Sequence, residues 1–498
     1  MKPAVSISVL VALVSSLAIV APSQAAGPTI EVTFAESVSD KPYSGRVYLM
    51  TTTRGRNPKA DPDWFNPQPF FAQDVTGWKP GETLVIDPDK TIGHPFAFAD
   101  LPAGTRWVQA VMDLSDWSRS VTNGPGDGYS KAIEVDFGAD EPAVVALHIE
   151  RTVADPRHSD SESIKYVEIK SRLLSEFHDR EVFLRAAVSL PEGYDEVPEQ
   201  RYPTLYEIPG FGGTLSRARY ILGHDPYADH GLEIVRVYLD PECPTGHHVF
   251  ADSANNGPVG TALTEELIPH LEKTFRLIPE TGARYVTGLS SGGWSSLWLQ
   301  VAYPDVFGGV WSLAPDPIDF TAFQWPDLYS VDANMYFRPD GTLIPVSRDQ
   351  GMRVIYTKNM SDMEAVLGRG GQLQSFEAVF SPRGDDGRPL KLWDRKTGVV
   401  DPKVAEAWRK FDIRLILESN WEQLGPKLAG KLTIICGDAD TFYLERAVLR
   451  VKDVLAKLGS DATVVIVPDA THGLTPAVHQ QVAQQIVERF ERFEKTGR

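Results

Sequence analysis

The residues with the most chemical content lie in Arg284-Tyr285-Val286-Thr287-Gly288-Leu289-Ser290-Ser291-Gly292-Gly293. The core of this stretch is G-x-S-x-G with Ser290 at its centre. Where a strand turns sharply into a helix, a Cβ two residues before or after the serine would clash, and the turn pushes the hydroxyl out at the carboxyl edge of the sheet. The bare pattern is weak in a chain with 40 glycines. Its weight comes from the apolar strand before it and the apolar helix after it. The competing reading is a packing turn that carries two surface serines.

A nucleophilic hydroxyl needs a base, and the base needs an orienting acid. His472 lies in Val467-Pro468-Asp469-Ala470-Thr471-His472-Gly473, after the last apolar run and before the terminal helix. His479, on that helix, is the lesser alternative. The acid is expected between serine and histidine. Asp440 in Gly437-Asp438-Ala439-Asp440 reaches further into its loop than Asp438, which suits a turn position better. Asp316 in Asp316-Pro317-Ile318-Asp319 is a third candidate. Pro209-Gly210-Phe211-Gly212-Gly213 supplies a glycine loop whose backbone N–H groups can approach a substrate oxygen. The expected oxyanion donors are the N–H of Ser291 and that of Phe211 or Gly212. The loop lacks the Lys-Ser/Thr ending of a phosphate cradle and the spacing of a dinucleotide loop.

These groups must be held by a sheet. From about residue 163 apolar strands alternate with helices. Ile164–Ile169, Val182–Leu190, Thr204–Ile208, Ile234–Leu239, Arg284–Thr287, Gly309–Leu313, Leu432–Cys436 and Thr463–Val467 read as strands, the later ones as parallel strands covered on both faces. Leu263, Leu267, Leu271 and Phe275 share one helical face, as do Leu444, Val448, Val451 and Leu455. Pro304 ends the helix after Gly292 near Tyr303. The interval 315–430, with four tryptophans, is too long to be slack and reads as a cap over the ligand face. Residues 27–153 hold seven short strand patterns (Thr29–Phe34, Arg46–Thr51, Thr83–Ile86, Pro95–Ala99, Trp107–Met112, Ala132–Phe137 and Val144–Glu150), the spacing of a β-sandwich-like domain. The polar stretch 154–162 reads as a linker to a hydrolase domain spanning 163–498. Trp64, Phe65, Phe70 and Phe71 fit sugar stacking, with ordinary loop packing as the plainer reading.

Leu190-Pro191-Glu192-Gly193-Tyr194-Asp195, Tyr202-Pro203-Thr204-Leu205-Tyr206 and the Gly210–Gly213 loop resemble the Putative esterase family, the branch of the α/β-hydrolase fold that includes esterase D, feruloyl esterases and enterochelin esterases. The resemblance covers about 165–315 and 430–495. It implies a doubly wound, mostly parallel sheet, with Ser290 as nucleophile, His472 as base and Asp440 as acid. Pro209 departs from the histidine usual before the glycine loop.

Composition agrees with a catalytic globular protein. The 498 residues are 42% hydrophobic and 23% charged, enough for two or three domains. A net charge of −18 argues against a nucleic-acid partner. Lys2, the apolar run Val5–Val20 and Ser23-Gln24-Ala25 form a signal-peptide pattern over 1–25, implying an exported protein, secreted or periplasmic, with no membrane span in its mature form. Cys243 and Cys436 are read as free thiols, and neither they nor His247-His248 match a zinc spacing. The expected protein is therefore a serine hydrolase of small-molecule or carbohydrate-linked esters, needing no cofactor or metal. The alternatives are an acyltransferase or peptidase on the same scaffold, or an inert carbohydrate-binding protein.

Overall fold

The computed structural model describes residues 27–496 apart from 61, 140–142, 157, 228 and 229; the signal-peptide pattern lies outside the described residues. Among those described, no helix is long and apolar enough to cross a membrane.

Eight strands build the sheet that carries the chemistry: β1 (Ile164–Lys170), β2 (Phe183–Ser189), β3 (Thr204–Ile208), β4 (Val235–Leu239), β5 (Arg284–Leu289), β6 (Gly309–Leu313), β7 (Leu432–Gly437) and β8 (Thr463–Val467). Their order is β1-β2-β4-β3-β5-β6-β7-β8. β2 is antiparallel to both β1 and β4, and the remaining pairs are parallel. This is a mixed α/β-hydrolase-like sheet. Every residue of β4 and β6 is buried, as continuous apolar runs require when helices cover both faces. Leu444, Val448, Val451 and Leu455 line the inner face of the helix Glu445–Lys457, each at most 2% exposed. The helix Ser291–Ala302 is buried along most of its length and stops before Pro304, with Tyr303 donating its N–H to Leu299 O at 2.9 Å.

The front region holds nine strands hydrogen-bonded in one ladder, with Leu84–Val85 at one end and Ile92–His94 at the other, where the sequence pattern suggested seven packed as a sandwich. Phe70–Trp78, Ile92–His94 and Gly128–Ser130 are the strands the pattern missed. The segment read as a strand at Pro95–Ala99 instead leads into a 3-10 turn at Phe98–Asp100. The strand Tyr43–Thr52 shows why the ladder is covered twice. Val47 and Leu49 pack into the front core, while Tyr48 and Met50 face Met363 and Val366 of the helix Thr357–Leu367. That alternation is the period of two of any strand.

The interval between β6 and β7 is clasped from both sides. Arg369 pairs bidentately with Asp113 (2.5 and 2.8 Å) and reaches the Pro244 carbonyl at 3.0 Å. Arg46 donates to the carbonyls of Ala365 and Val366 at 2.8 and 2.9 Å. Glu364 accepts the N–H groups of Leu373 (3.0 Å) and Gln374 (2.9 Å), which fixes the start of the helix Gln372–Phe380.

Burial pushes the Glu364 carboxyl up to about 7, against the pull of those two N–H donors. A carboxyl whose folded-state pKa is raised binds its proton more tightly in the native state. Its ionisation therefore costs stability as pH rises from the unfolded carboxylate range through about 7. Glu364→Gln cannot ionise, so its Tm relative to wild type is expected to be most favourable at pH 8 and to decline toward pH 5. Calorimetry across that range checks it, and a pH-independent difference contradicts it.

Candidate active site

Ser290 sits at the junction of β5 and its following helix with φ 63° and ψ −124°, a backbone setting that costs roughly 1–3 kcal/mol in a residue with a side chain. The sequence permits this turn because its neighbours lack side chains. A Cβ at Gly292 would stand 2.0 Å from Ile208 O, and one at Gly288 2.3 Å from Gly292 O. Ser290 N–H is tied to Leu313 O at 3.0 Å, fixing the elbow against β6.

His472 and Asp440 arrive from the loops after β8 and β7. His472 Nδ1 lies 2.8 Å from Asp440 Oδ2. Because the carboxylate accepts, Nδ1 carries the hydrogen and Nε2 is left to act as a base. Asp440 is fully buried, and its other oxygen accepts from the N–H of Phe442 (2.8 Å) and Leu444 (3.3 Å). The 344–356 segment grips the same loop: Arg348 donates to Asp440 O at 2.7 Å and Gln350 to Ala439 O at 2.6 Å. Phe442 packs edge-on against the imidazole, ring centroids 4.8 Å apart.

The other candidates fall elsewhere. Asp438 Oδ1 accepts the Asp469 N–H at 2.7 Å, so it ties together the loops that carry Asp440 and His472. His479 pairs with the Gly473 carbonyl at 2.9 Å. Asp316 stands beside the serines: Ser290 donates to its Oδ1 at 3.5 Å and Ser291 to its Oδ2 at 2.5 Å. Among the described residues Asp316 is the hydrogen-bond partner of the Ser290 hydroxyl. The Ser290 hydroxyl and His472 nevertheless face one cavity of about 1270 Å³, which Asp316 also lines.

The glycine loop follows β3. Gly213 donates to Gly210 O at 2.9 Å, whereas the N–H groups of Phe211, Gly212 and Ser291 have no hydrogen-bond partner among the described residues. A Cβ at Gly210 would stand 3.2 Å from that of Ser290, so the loop lies directly against the Ser290 turn. Sequence reasoning left open what braces this loop. It is His247, whose Nε2 donates to Pro209 O at 2.9 Å while its Nδ1 accepts from Val249 N–H at 3.0 Å. Burial pulls the His247 pKa down to about 4, which keeps the ring neutral and this tautomer intact. No local signal marked that role, because the contact joins residues 38 positions apart.

Other regions complete the cavity. Trp64 of the front region stacks on Phe211 with ring centroids 5.5 Å apart, and Arg119 lies 4.9 Å from the same ring. Trp64 and Phe65 line the cavity, whereas Phe70 and Phe71 are core residues at 1% and 0% exposure. Met360, Gln372, Leu373 and Phe376 join from the 315–430 interval. Cys243 and Cys436 are free thiols, the latter buried.

Residues 181–327 match the family model described as Putative esterase. No curated protein matches. Solved structures similar to the chain include a ferulic acid esterase, 16% identical over 66% of this chain and 98% of that one, with a TM-score of 0.42. A fluorophosphonate-binding serine hydrolase of Staphylococcus aureus is 14% identical over 65% and 99%, with a TM-score of 0.39. An S-formylglutathione hydrolase from Agrobacterium tumefaciens is 12% identical over 65% and 93%, also with a TM-score of 0.39. The stretch matched by that family model carries both the glycine loop and the Ser290 turn.

Proposed function

We propose that the protein is an exported serine esterase that cleaves carboxylic esters through Ser290, His472 and Asp440 and an acyl-enzyme intermediate. One observation carries this reading. A strained serine, a carboxylate-oriented imidazole and three N–H groups without partners among the described residues come from four separate loops and meet at the carboxyl end of one sheet. Packing alone gives no reason for that convergence. The export half of the proposal rests on the signal-peptide pattern of residues 1–25.

In this mechanism the Ser290 hydroxyl turns from Asp316 toward His472 Nε2. Its oxygen attacks the substrate carbonyl carbon as the imidazole takes the proton. The buried Asp440 side chain stabilises the imidazolium and keeps the proton on Nδ1. The oxyanion lies between the N–H of Ser291 and those of Phe211 and Gly212, each worth about 3–4 kcal/mol in the transition state. His472 returns its proton to the leaving alcohol. Water, activated by the same imidazole, then releases the acid and restores the serine. Trp64, Phe65, Leu373 and Phe376 give the pocket an apolar wall suited to an ester with an aromatic or aliphatic body. In this reading the 315–430 interval serves as the cap and the front region as part of the pocket wall.

A fluorophosphonate probe is expected to add to Ser290 in the folded protein, as intact-mass and peptide mapping would show. Ser290→Ala should lose the adduct and about 10⁴-fold or more of p-nitrophenyl ester hydrolysis. No adduct on folded protein sinks the enzyme reading and favours an inert binding protein. Products dominated by transfer to an added alcohol would mark an acyltransferase.

The two carboxylates of the Gly437–Asp440 stretch separate cleanly. Asp440→Asn should lower kcat about 10⁴-fold because the wrong histidine tautomer is then favoured. Asp438→Asn, which exchanges one acceptor of a single N–H, should cost roughly fivefold at most. Equal losses in the two variants would contradict the assignment.

A further inference from the structure

Asp316 is a buried carboxyl placed next to a nucleophile that does not use it. It is 6% exposed and held by its own N–H on Ser290 O at 3.2 Å. Two donors, Ser291 Oγ at 2.5 Å and Gln372 Nε2 at 3.2 Å, both go to Oδ2. Among the described residues Oδ1 has only the Ser290 hydroxyl, at 3.5 Å. Gln372 repeats the imbalance. Its Nε2 also reaches Ser291 Oγ at 3.2 Å, yet its Oε1 is buried without a partner among the described residues, in a side chain only 9% exposed. Both residues line the catalytic cavity.

Two acceptor oxygens on residues that line the cavity thus lack donors to match among the described residues. A buried acceptor left unpaired is costly, and its cost is recovered by a ligand that supplies the hydrogen. Catalysis sharpens the requirement. The Ser290 hydroxyl has one proton, and while it donates to Asp316 it cannot donate to His472. An ionised Oδ1 this close would also oppose the negative charge that develops on the substrate oxygen. Burial raises the Asp316 pKa to about 6, opposed by the Ser291 and Gln372 donors and the nearby His472, and reinforced by Asp440. At pH 7.5 it is thus chiefly an acceptor through both oxygens.

We propose that Asp316 Oδ1 and Gln372 Oε1 form a subsite for a hydrogen-bond donor, a hydroxyl or an ammonium, on the acyl chain one or two carbons from the scissile carbonyl. The preferred substrates are esters of hydroxy or amino acids. A donor that occupies Oδ1 frees the Ser290 hydroxyl for His472, so the correct substrate completes the relay that attacks it. This inference rests on the serine-esterase reading and specifies the acyl half of its substrate.

The test is a matched panel of ethyl esters followed by pH-stat at pH 7.5: butyrate, 2-methoxybutyrate, 2-hydroxybutyrate, 3-hydroxybutyrate and 2-aminobutyrate. The 2-methoxy ester keeps the oxygen and loses the donor. At least one donor-bearing ester is expected to exceed both butyrate and 2-methoxybutyrate in kcat/KM by about tenfold, the worth of one hydrogen bond. Preference for a hydroxy ester or for the amino ester identifies which donor is used. In Gln372→Met the donor-to-butyrate ratio should collapse to within about threefold, and a ratio cancels any general loss of activity. The wild-type panel needs no variant to fold. If all five esters turn over within threefold of one another while hydrolysis depends on Ser290, the subsite is overturned and the esterase reading stands. If no ester turns over and Ser290 refuses the fluorophosphonate, both fall together.

Discussion

The architecture depends on one crossing where no side chain fits. At the carboxyl ends of β3 and β5 the backbone of Gly292 approaches Ile208 so closely that any Cβ would overlap its carbonyl oxygen. That approach lets the helix Ser291–Ala302 start directly under the sheet, and it leaves Ser290 in a conformation that L-residues avoid. The strain persists because it is over-determined. Ser290 N–H is bound to β6, its carbonyl accepts from Trp294 and Asp316, and the helix behind it is packed into the core.

Everything else positions partners for that turn. Asp440 is withdrawn from water, so its charge is expressed through the His472 hydrogen bond and two backbone donors in a low-dielectric setting where such bonds are strong. Arg348 and Gln350 hold the acid loop by its carbonyls, and Asp438 ties it to the histidine loop. Neutral His247 braces the glycine loop through Pro209. The three regions of the chain are joined by charge-assisted bonds, with Arg369 anchored to Asp113 and Glu242 accepting from Ser118 and Arg119. The cavity wall is consequently built from all three, and substrate selection is expected to reside as much in Trp64 and Gln372 as in the sheet.

What the sequence disclosed follows from the range over which each signal acts. The eight strands of the main sheet were legible because burial on both faces demands continuous apolar runs, and those runs stand out from charged helices. Asp440 was preferred over Asp438 from its reach into the loop, and it is Asp440 that meets the imidazole. The strand Phe70–Trp78 was hidden by Pro67 and Pro69 ahead of it and by Gln73-Asp74 within it, so Phe70 and Phe71 looked like loop aromatics when they are core. Gly128–Ser130 was masked by the glycine-rich turn that leads into it. His247, Gln372 and the Trp64–Phe211 stack had no local mark, because their roles arise only when segments distant in the chain are brought together.

The most direct measurement of the central claim is a crystal structure of the protein after reaction with an alkyl fluorophosphonate. The account predicts a Ser290 Oγ–phosphorus bond, a phosphoryl oxygen seated between the N–H of Ser291 and those of Phe211 and Gly212, and His472 Nε2 within hydrogen-bonding reach of Oγ. An adduct whose phosphoryl oxygen points away from that loop, or an imidazole that stays out of reach of the modified serine, would contradict it.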